Sequence, residues 1–406
     1  MKKLLLSLIT IVLWQPFLAQ EERAHLPISY LQRISTPVPT IELPPLNLEA
    51  VQREDSINDL DKNLPWRYGI SRSLSINLEQ TGVWTDLPSG DRLWQLEITS
   101  PNAVNVSVNF DDLYVPQGAR LLLYNKTMTD ISRPITKLEN TPDGKLGSWF
   151  IDGETILLEY YEPAGTSRAV VLEIGSIIHG YRMGRVNALI ENGRGLEDSG
   201  DCNYDVNCSI GPDFDPIKDV VKKAVALLNL GNGYLCSAAL VNNTEANKRP
   251  FLLTANHCLE YSDPSLWSVR FNWMSPSPVC GTEEPSANLE TNFTMSGAAV
   301  RANNSLSDFA LVEMYNRIPD SWDVAFAGWD VTDTEPEFEV GIHHPNGDIM
   351  KICRDDSGAE KINANGTEVW LIGGVSAGSG NGWELGTTES GSSGSPLFNQ
   401  EGKIIG

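Results

Sequence analysis

The clearest pattern in the chain is alternation. From Ala103 to Phe110, Val104, Val106, Val108 and Phe110 take every second position, and Trp94, Leu96 and Ile98 do the same. A period of two predicts strands with one face on a core. Arg120 to Tyr124, Thr155 to Tyr161 and Ala169 to Ile174 read as further strands. Turn signals separate them at Pro88-Ser89-Gly90, Pro116-Gln117-Gly118, Pro142-Asp143-Gly144 and Pro163-Ala164-Gly165. Short strands at this spacing predict an antiparallel β-sandwich over residues 67–185. Within it, Glu159 and Glu162 flank Tyr160-Tyr161, which reads as a strand with one wet face rather than a paired acid site.

The flanks carry other patterns. Met1-Lys2-Lys3, the apolar run Leu4 to Trp14, Pro16 and Ala19-Gln20 read as a secretory signal peptide over 1–19 rather than a buried helix. Residues 20–66 hold Pro37, Pro39, Pro44, Pro45 and Pro65 among many charges, which predicts an extended leader or linker. Residues 186–199, with Asn192-Gly193-Arg194-Gly195, predict a second linker and a processing site. Beyond it, Asp215 to Leu230 shows helix-like apolar spacing, yet Ala224 to Leu230 also reads as a strand, and a barrel strand is favoured. Asp333, Glu335, Glu337 and Glu339 alternate and read as the wet face of another strand.

Composition narrows the class. The net charge of −23 over 406 residues disfavours binding to a phosphate backbone. A hydrophobic content of 41% is too high for a mostly disordered chain. No apolar stretch reaches the roughly 20 residues that a membrane-spanning helix needs. The cysteines, Cys202, Cys208, Cys236, Cys258, Cys280 and Cys353, all lie in the second half. A secreted chain meets an oxidising compartment, so they are expected to pair, in an arrangement that spacing alone does not resolve.

Three short motifs carry candidate chemistry. Phe251 to Ala255 is an apolar strand that runs into Asn256-His257-Cys258. Ser307-Asp308-Phe309-Ala310-Leu311-Val312 places an aspartate at the mouth of a strand. Gly391-Ser392-Ser393-Gly394-Ser395-Pro396 wraps serines in small residues. A serine hydroxyl attacks only with a base in hydrogen-bond reach, and that base needs a carboxylate to fix its tautomer. Of five histidines (His25, His179, His257, His343, His344), only His257 follows a strand and abuts a cysteine able to anchor its loop. Gly391 and Gly394 leave room for a substrate carbonyl and free backbone N–H groups for a developing oxyanion.

These motifs, with Gly233-Tyr234-Leu235-Cys236-Ser237-Ala238-Ala239-Leu240-Val241-Asn242-Asn243, resemble a chymotrypsin-fold serine protease. More narrowly, Gly200 to Cys208, Ser307-Asp308-Phe309, Ile342-His343-His344-Pro345-Asn346 and Gly391 to Pro396 resemble the bacterial lysyl endopeptidase branch. The resemblance runs from about Gly200 to the last residue. It implies His257 as general base, Asp308 as its orienter, Ser393 as nucleophile, and the N–H groups of Gly391 and Ser393 as the oxyanion hole. Ser392 and Ser395 are the alternative nucleophiles. It also implies bridges Cys236–Cys258 and Cys208–Cys280. The branch's partner for Cys202 would lie beyond Gly406, and Cys353 is extra to the pattern, so either Cys202 pairs with Cys353 or both await cysteines outside this chain. Trp370 is the choice over Trp383 for a wall of the active site. Two departures stand out. Trypsin-like zymogens hold an Asp just before the catalytic Ser, where this chain and the branch have Ser392. The strand that lines the S1 pocket, with the acid that selects Lys, would fall after Gly406, so the second barrel is expected to be incomplete.

The expectation is therefore an all-β chain: a signal peptide, a leader, a β-sandwich propeptide domain, a linker and a two-barrel protease domain over 200–406. It would be a secreted serine endopeptidase that cuts protein or peptide substrates, after Lys by resemblance, with no cofactor and no metal. His343-His344 could bind a metal, but adjacent histidines on a strand point to opposite faces and no zinc spacing accompanies them. Rival readings are a non-catalytic secreted binding protein that keeps the fold, and a sandwich that stays as a permanent binding module.

Overall fold

The computed structural model describes residues 26–60, 64–167, 169–182, 199–200, 202–281, 293–364, 366–373 and 382–406. Residues 1–19, read above as a signal peptide, and Arg194-Gly195 lie outside them. Among the described residues the regular structure is mostly strand, and no helix is long and apolar enough to cross a membrane.

Two five-stranded sheets enclose one core in the first half. One contains Thr40–Glu42, Val83–Asp86, Arg92–Thr99, Thr155–Glu162 and Arg120–Tyr124. The other contains Gly69–Asn77, Val171–Gly180, Asn105–Tyr114, Leu146–Gly147 and Ile151–Asp152. Trp94, Leu96 and Ile98 from the first meet Val106, Val108 and Phe110 from the second in a single apolar cluster. The alternation of these residues is what lets both sheets turn one face inward.

The opposite faces are not wet. Asn105, Ser107 and Asn109 are buried as well, and the Asn109 amide donates to the Gly231 carbonyl at 2.6 Å across to the second half. Glu159 and Glu162, expected on a solvated face, are also buried. Residues 28 and 29 cover Glu159, which accepts from the Ile28 N–H, the Ser29 hydroxyl and the Tyr124 hydroxyl. Glu162 is held by Arg92. A strand pattern shows that one face is polar, but it does not show what lies on that face. Here it is the proline-rich segment itself. It forms a helix at Ile28–Gln32, adds Thr40–Glu42 parallel to Glu97–Thr99, and forms an 11-residue helix at Leu48–Asn58. Asn47 caps that helix by accepting from the Glu49 N–H at 3.1 Å.

The second half centres on an eight-stranded sheet that curls on itself. Its end strands, Phe293–Ser296 and Ala298–Asn304, are consecutive in the chain with only Gly297 between them. A four-stranded sheet of Tyr204–Asp205, Lys351–Asp355, Glu339–His343 and Leu397–Asn399 shares its core through Val340, Ile342, Ile352 and Phe398. One sequence reading is divided here and another is corrected: the strand expected over Ala224 to Leu230 forms, but a helix precedes it. Asp215–Val221 is a helix with a proline in its first turn, and the strand begins only at Val225. The helix gives way to the run Val225 to Leu230, every residue of which, Asn229 included, is buried. The acidic run is no strand until Glu339, and Glu339 is fully buried. Its carboxyl group accepts from the Ala359 N–H at 2.8 Å, and burial beside Asp355 pushes its pKa up to about 8.

The halves meet through backbone and apolar surface together. Trp66–Arg67 pairs antiparallel with Tyr234 and Leu235, extending the eight-stranded sheet. Trp66, Tyr68, Trp149, Phe150 and Ile178 form one buried cluster with Leu227, Leu235, Trp273 and Ile349. The Arg270 guanidinium lies 4.2 Å from the Trp149 ring centre and 4.8 Å from that of Trp273.

Three histidines are buried without charge. Burial, with Arg72 nearby, lowers the His179 pKa to about 4. Burial, with His344 and Lys351 nearby, lowers His343 to about 3, and burial lowers His344 to about 4. Each folded-state pKa lies below the unfolded value of about 6.5, so the unfolded chain binds more protons between these limits. Stability is expected to fall as pH drops below about 6.5. Urea denaturation at successive pH values checks this. In His179→Asn the slope of stability against pH between about 4.5 and 6 should shrink by about one proton.

Candidate active site

The register of two strands brings His257 to Asp308. Phe251–Ala255 pairs antiparallel with Phe309–Met314, with Ala255 opposite Phe309, so the residues just past each end face one another. Asn256–Leu259 then makes a single helical turn. The His257 Nδ1 lies 2.7 Å from Asp308 Oδ2, and the His257 N–H donates to Oδ1 at 2.9 Å. The Asn256 N–H donates to the Asp308 carbonyl at 3.0 Å. Asp308 holds φ +48°, a left-handed value that aspartate tolerates better than most residues. A carboxylate accepting at Nδ1 keeps the proton there and leaves Nε2 as the basic nitrogen. That Nε2 is buried and has no hydrogen-bond partner.

Residues Gly391 to Ser395 form a tight turn pressed onto the start of the His257 turn. The Ser393 carbonyl accepts from the Ser237 N–H at 2.8 Å. The Ser237 hydroxyl accepts from the His344 N–H at 2.9 Å and donates to the Gly391 carbonyl at 3.0 Å. Gly394, at φ +81°, lies so close that a Cβ there would come within 2.1 Å of Thr254 Oγ1 and 2.5 Å of the Ser237 carbonyl oxygen. The sequence motif contained Ser237 but gave no sign of its clamping role, because His344, Gly391 and Ser393, which it joins, lie more than a hundred residues away.

Two disulfides are present, Cys236–Cys258 and Cys208–Cys280. The first ties the His257 turn to the strand Tyr234–Val241, and Cys258 Sγ lies 3.9 Å from the Ser393 carbonyl oxygen. Cys236, His257 and Cys258 sit within ligand distance of one another, but both sulfurs are spent in the bridge and offer no thiolate to a metal. Cys202 is exposed, Cys353 is buried, and both are thiols, so no Cys202–Cys353 bridge forms.

Ser392 and the histidine pair are internal struts. The Ser392 hydroxyl accepts from the Glu389 N–H at 3.2 Å and lies 2.7 Å from His343 Nδ1. His344 Nδ1 lies 2.9 Å from the Asp348 carbonyl oxygen. Trp370 stands on the strand Thr367–Leu371 and donates its indole N–H to the Ile405 carbonyl at 2.9 Å. That strand's hairpin reaches the Asp308 loop through the Thr367 hydroxyl, which donates to the Leu306 carbonyl at 3.2 Å. Trp383 lies against Gly341, next to Cys353. A cavity of about 720 Å³, lined by Asp130, Arg133, Trp149, Arg270 and Trp322, sits at the junction of the halves and includes none of His257, Asp308 or Ser393.

The family model for the lysyl endopeptidase C-terminal domain matches residues 196–406. The chain belongs to that family. It is thus a chymotrypsin-fold serine protease. A lysyl endopeptidase of Pseudomonas aeruginosa is 25% identical over 341 residues, which cover 79% of this chain and 68% of that protein. Among solved structures, the Rv3671c protease of M. tuberculosis in its inactive form aligns at 14% identity, covering 49% of this chain and 83% of that one, with a TM-score of 0.29. An HtrA-type protease with a tripeptide aligns at 14% identity, covering 48% of this chain and 53% of that one, with a TM-score of 0.30. These two likenesses are too slight to bear on the chemistry.

Gly394→Ala tests how tightly the two turns are pressed together. The added methyl must push the Ser393 turn away from Thr254 and Ser237, and a shift near 1 Å costs about 10²-fold in rate. Peptide hydrolysis is expected to fall by about that factor or more, measured as kcat/KM on a peptide amide.

Proposed function

We propose that the chain is the precursor of a secreted serine endopeptidase that cuts after Lys. One observation carries the reading: His257 is bonded to Asp308 through both its ring and its own backbone N–H, on a turn whose Cys258 Sγ lies 3.9 Å from the Ser393 carbonyl oxygen. In this reading Ser393 attacks the scissile carbonyl and His257 Nε2 takes the hydroxyl proton. Asp308 stabilises the imidazolium, and the N–H groups of Gly391 and Ser393 receive the oxyanion. His257 then protonates the leaving amine, and water, deprotonated by His257, releases the acyl group from Ser393. No cofactor enters these steps. The engagement of Ser392 with His343 supports Ser393 over Ser392 as nucleophile. Specificity for Lys rests on the relative from P. aeruginosa and on the family description. Trp370 is kept as a wall of the substrate site, supported by the link from its hairpin to the Asp308 loop. The signal-peptide pattern and the two disulfides support secretion.

The test is digestion of a denatured protein by the processed enzyme, with new termini read by mass spectrometry and Ser393→Ala as control. Cuts on the carboxyl side of Lys only, absent in the control, are the expected result. Cuts after other residues would keep the nucleophile and remove the Lys assignment. Equal cutting by both proteins would remove the nucleophile.

The shared apolar cluster favours a second reading of the first half, as a lasting part of the enzyme rather than a shed propeptide. Losing it would bare Leu227, Leu235, Trp273 and Ile349. If this holds, the two halves stay together in gel filtration after the 186–199 segment is cut. Separate elution supports the propeptide reading.

A further inference from the structure

Ser392 stands where trypsin-like zymogens hold an aspartate, and a hydroxyl cannot form an ion pair with a new N-terminal amine. The start of the protease half is nevertheless tied to this turn, three residues upstream. The Gly200 N–H lies 3.2 Å from each carboxylate oxygen of Glu389. The Asn203 side-chain amide donates to Glu389 Oε1 at 3.1 Å and to the Gly200 carbonyl at 3.0 Å. The Asn346 side-chain amide donates to Glu389 Oε2 at 3.0 Å. One carboxylate therefore gathers donors from two loops that are remote in sequence. The Glu389 backbone brackets Ser392: its N–H donates to the Ser392 hydroxyl at 3.2 Å, and its carbonyl accepts from the Ser392 N–H at 3.0 Å. The neighbouring Ser390 carbonyl accepts from the Asn346 N–H at 2.6 Å. Gly200 fits this contact closely, since a Cβ there would lie 2.8 Å from Glu389 Oε1.

We propose that Glu389 is a positioning residue for the nucleophile turn. Its side chain fixes Gly200, Asn203 and Asn346 against one another. Its backbone passes that constraint to Ser392, and so to the hydroxyl and N–H of Ser393. The acceptor serves a backbone amide as well as a free amine, so the tether does not wait for a new N-terminus. It replaces the buried ion pair of trypsin-like activation with hydrogen bonds to one carboxylate at the turn's edge. The inference rests on Ser393 being the nucleophile.

The experiment compares wild type, Glu389→Ala, Glu389→Gln and Ser393→Ala, each as the full chain after processing. Three readouts are taken: kcat and KM on a Lys peptide amide, thermal midpoint, and hydrogen exchange in the segments containing Gly200 and Ser392. Glu389→Ala is expected to lower kcat about 10- to 100-fold with KM nearly unchanged and to speed exchange in both segments, with the thermal midpoint close to wild type. Glu389→Gln, which keeps one acceptor oxygen, is expected to restore most of the rate. Unchanged kcat in Glu389→Ala, or unchanged exchange, overturns the proposal. So does a rate loss that Glu389→Gln fails to rescue, or one that tracks a collapse in thermal midpoint. If Ser393→Ala cuts as well as wild type, the protease reading of this serine fails and the catalytic role of Glu389 fails with it. The exchange data then still show whether the tether forms, so the two failures are told apart.

Discussion

The Ser237 N–H holds the Ser393 carbonyl at 2.8 Å, and the rest of the candidate site is arranged around that bond. A buried backbone donor left without its acceptor costs about 1–3 kcal/mol, so the Ser393 turn is not free to lift away. The same residue uses its hydroxyl to join His344 to Gly391, and its carbonyl accepts from the Thr254 hydroxyl at 2.8 Å. Its neighbour Cys236 is bridged to Cys258, beside His257. One short strand therefore touches the serine turn, the histidine turn and the His343-His344 segment. The closeness of the first two leaves no space for a side chain at residue 394.

The polar groups around this strand are mostly neutral. His343 and His344 are uncharged at ordinary pH because burial disfavours the imidazolium, and each still makes a bond at Nδ1. A buried charge would need a partner in good geometry to repay its desolvation. A hydroxyl at Ser392 bonded to a neutral imidazole avoids that demand. Charge is placed where it is shared: at Asp308, which receives two N–H groups of His257, and at Glu389, which receives three donors. Both carboxylates sit at the edges of turns rather than in the apolar core.

The halves share this logic of mutual cover. Asn109 finds its acceptor in the Gly231 carbonyl of the other half, and Trp66–Arg67 supplies a strand to the other half's eight-stranded sheet. The polar face of Thr155–Glu162 is closed by residues 28 and 29. Segments that look solvated one at a time are buried by one another.

The sequence by itself determined the strands whose alternation is strict, such as the one through Val106, Val108 and Phe110, because a period of two buries a face in any sheet. It also marked His257, Asp308 and the Gly391–Pro396 turn, because small residues, a strand end and a lone histidine leave short local signatures. It misread Glu339 and Glu159, and it left Asp215–Leu230 open between helix and strand. Each of these depends on a neighbour far along the chain: Ile217 and Val221 lie against Gly402, Glu339 beside Asp355, and Glu159 under Ser29. Only the tertiary structure decided those, along with the clamp at Ser237 and the tether at Glu389. Hydrogen bonds between residues a hundred or more apart follow from how sheets close, and no local pattern of side chains encodes that closure.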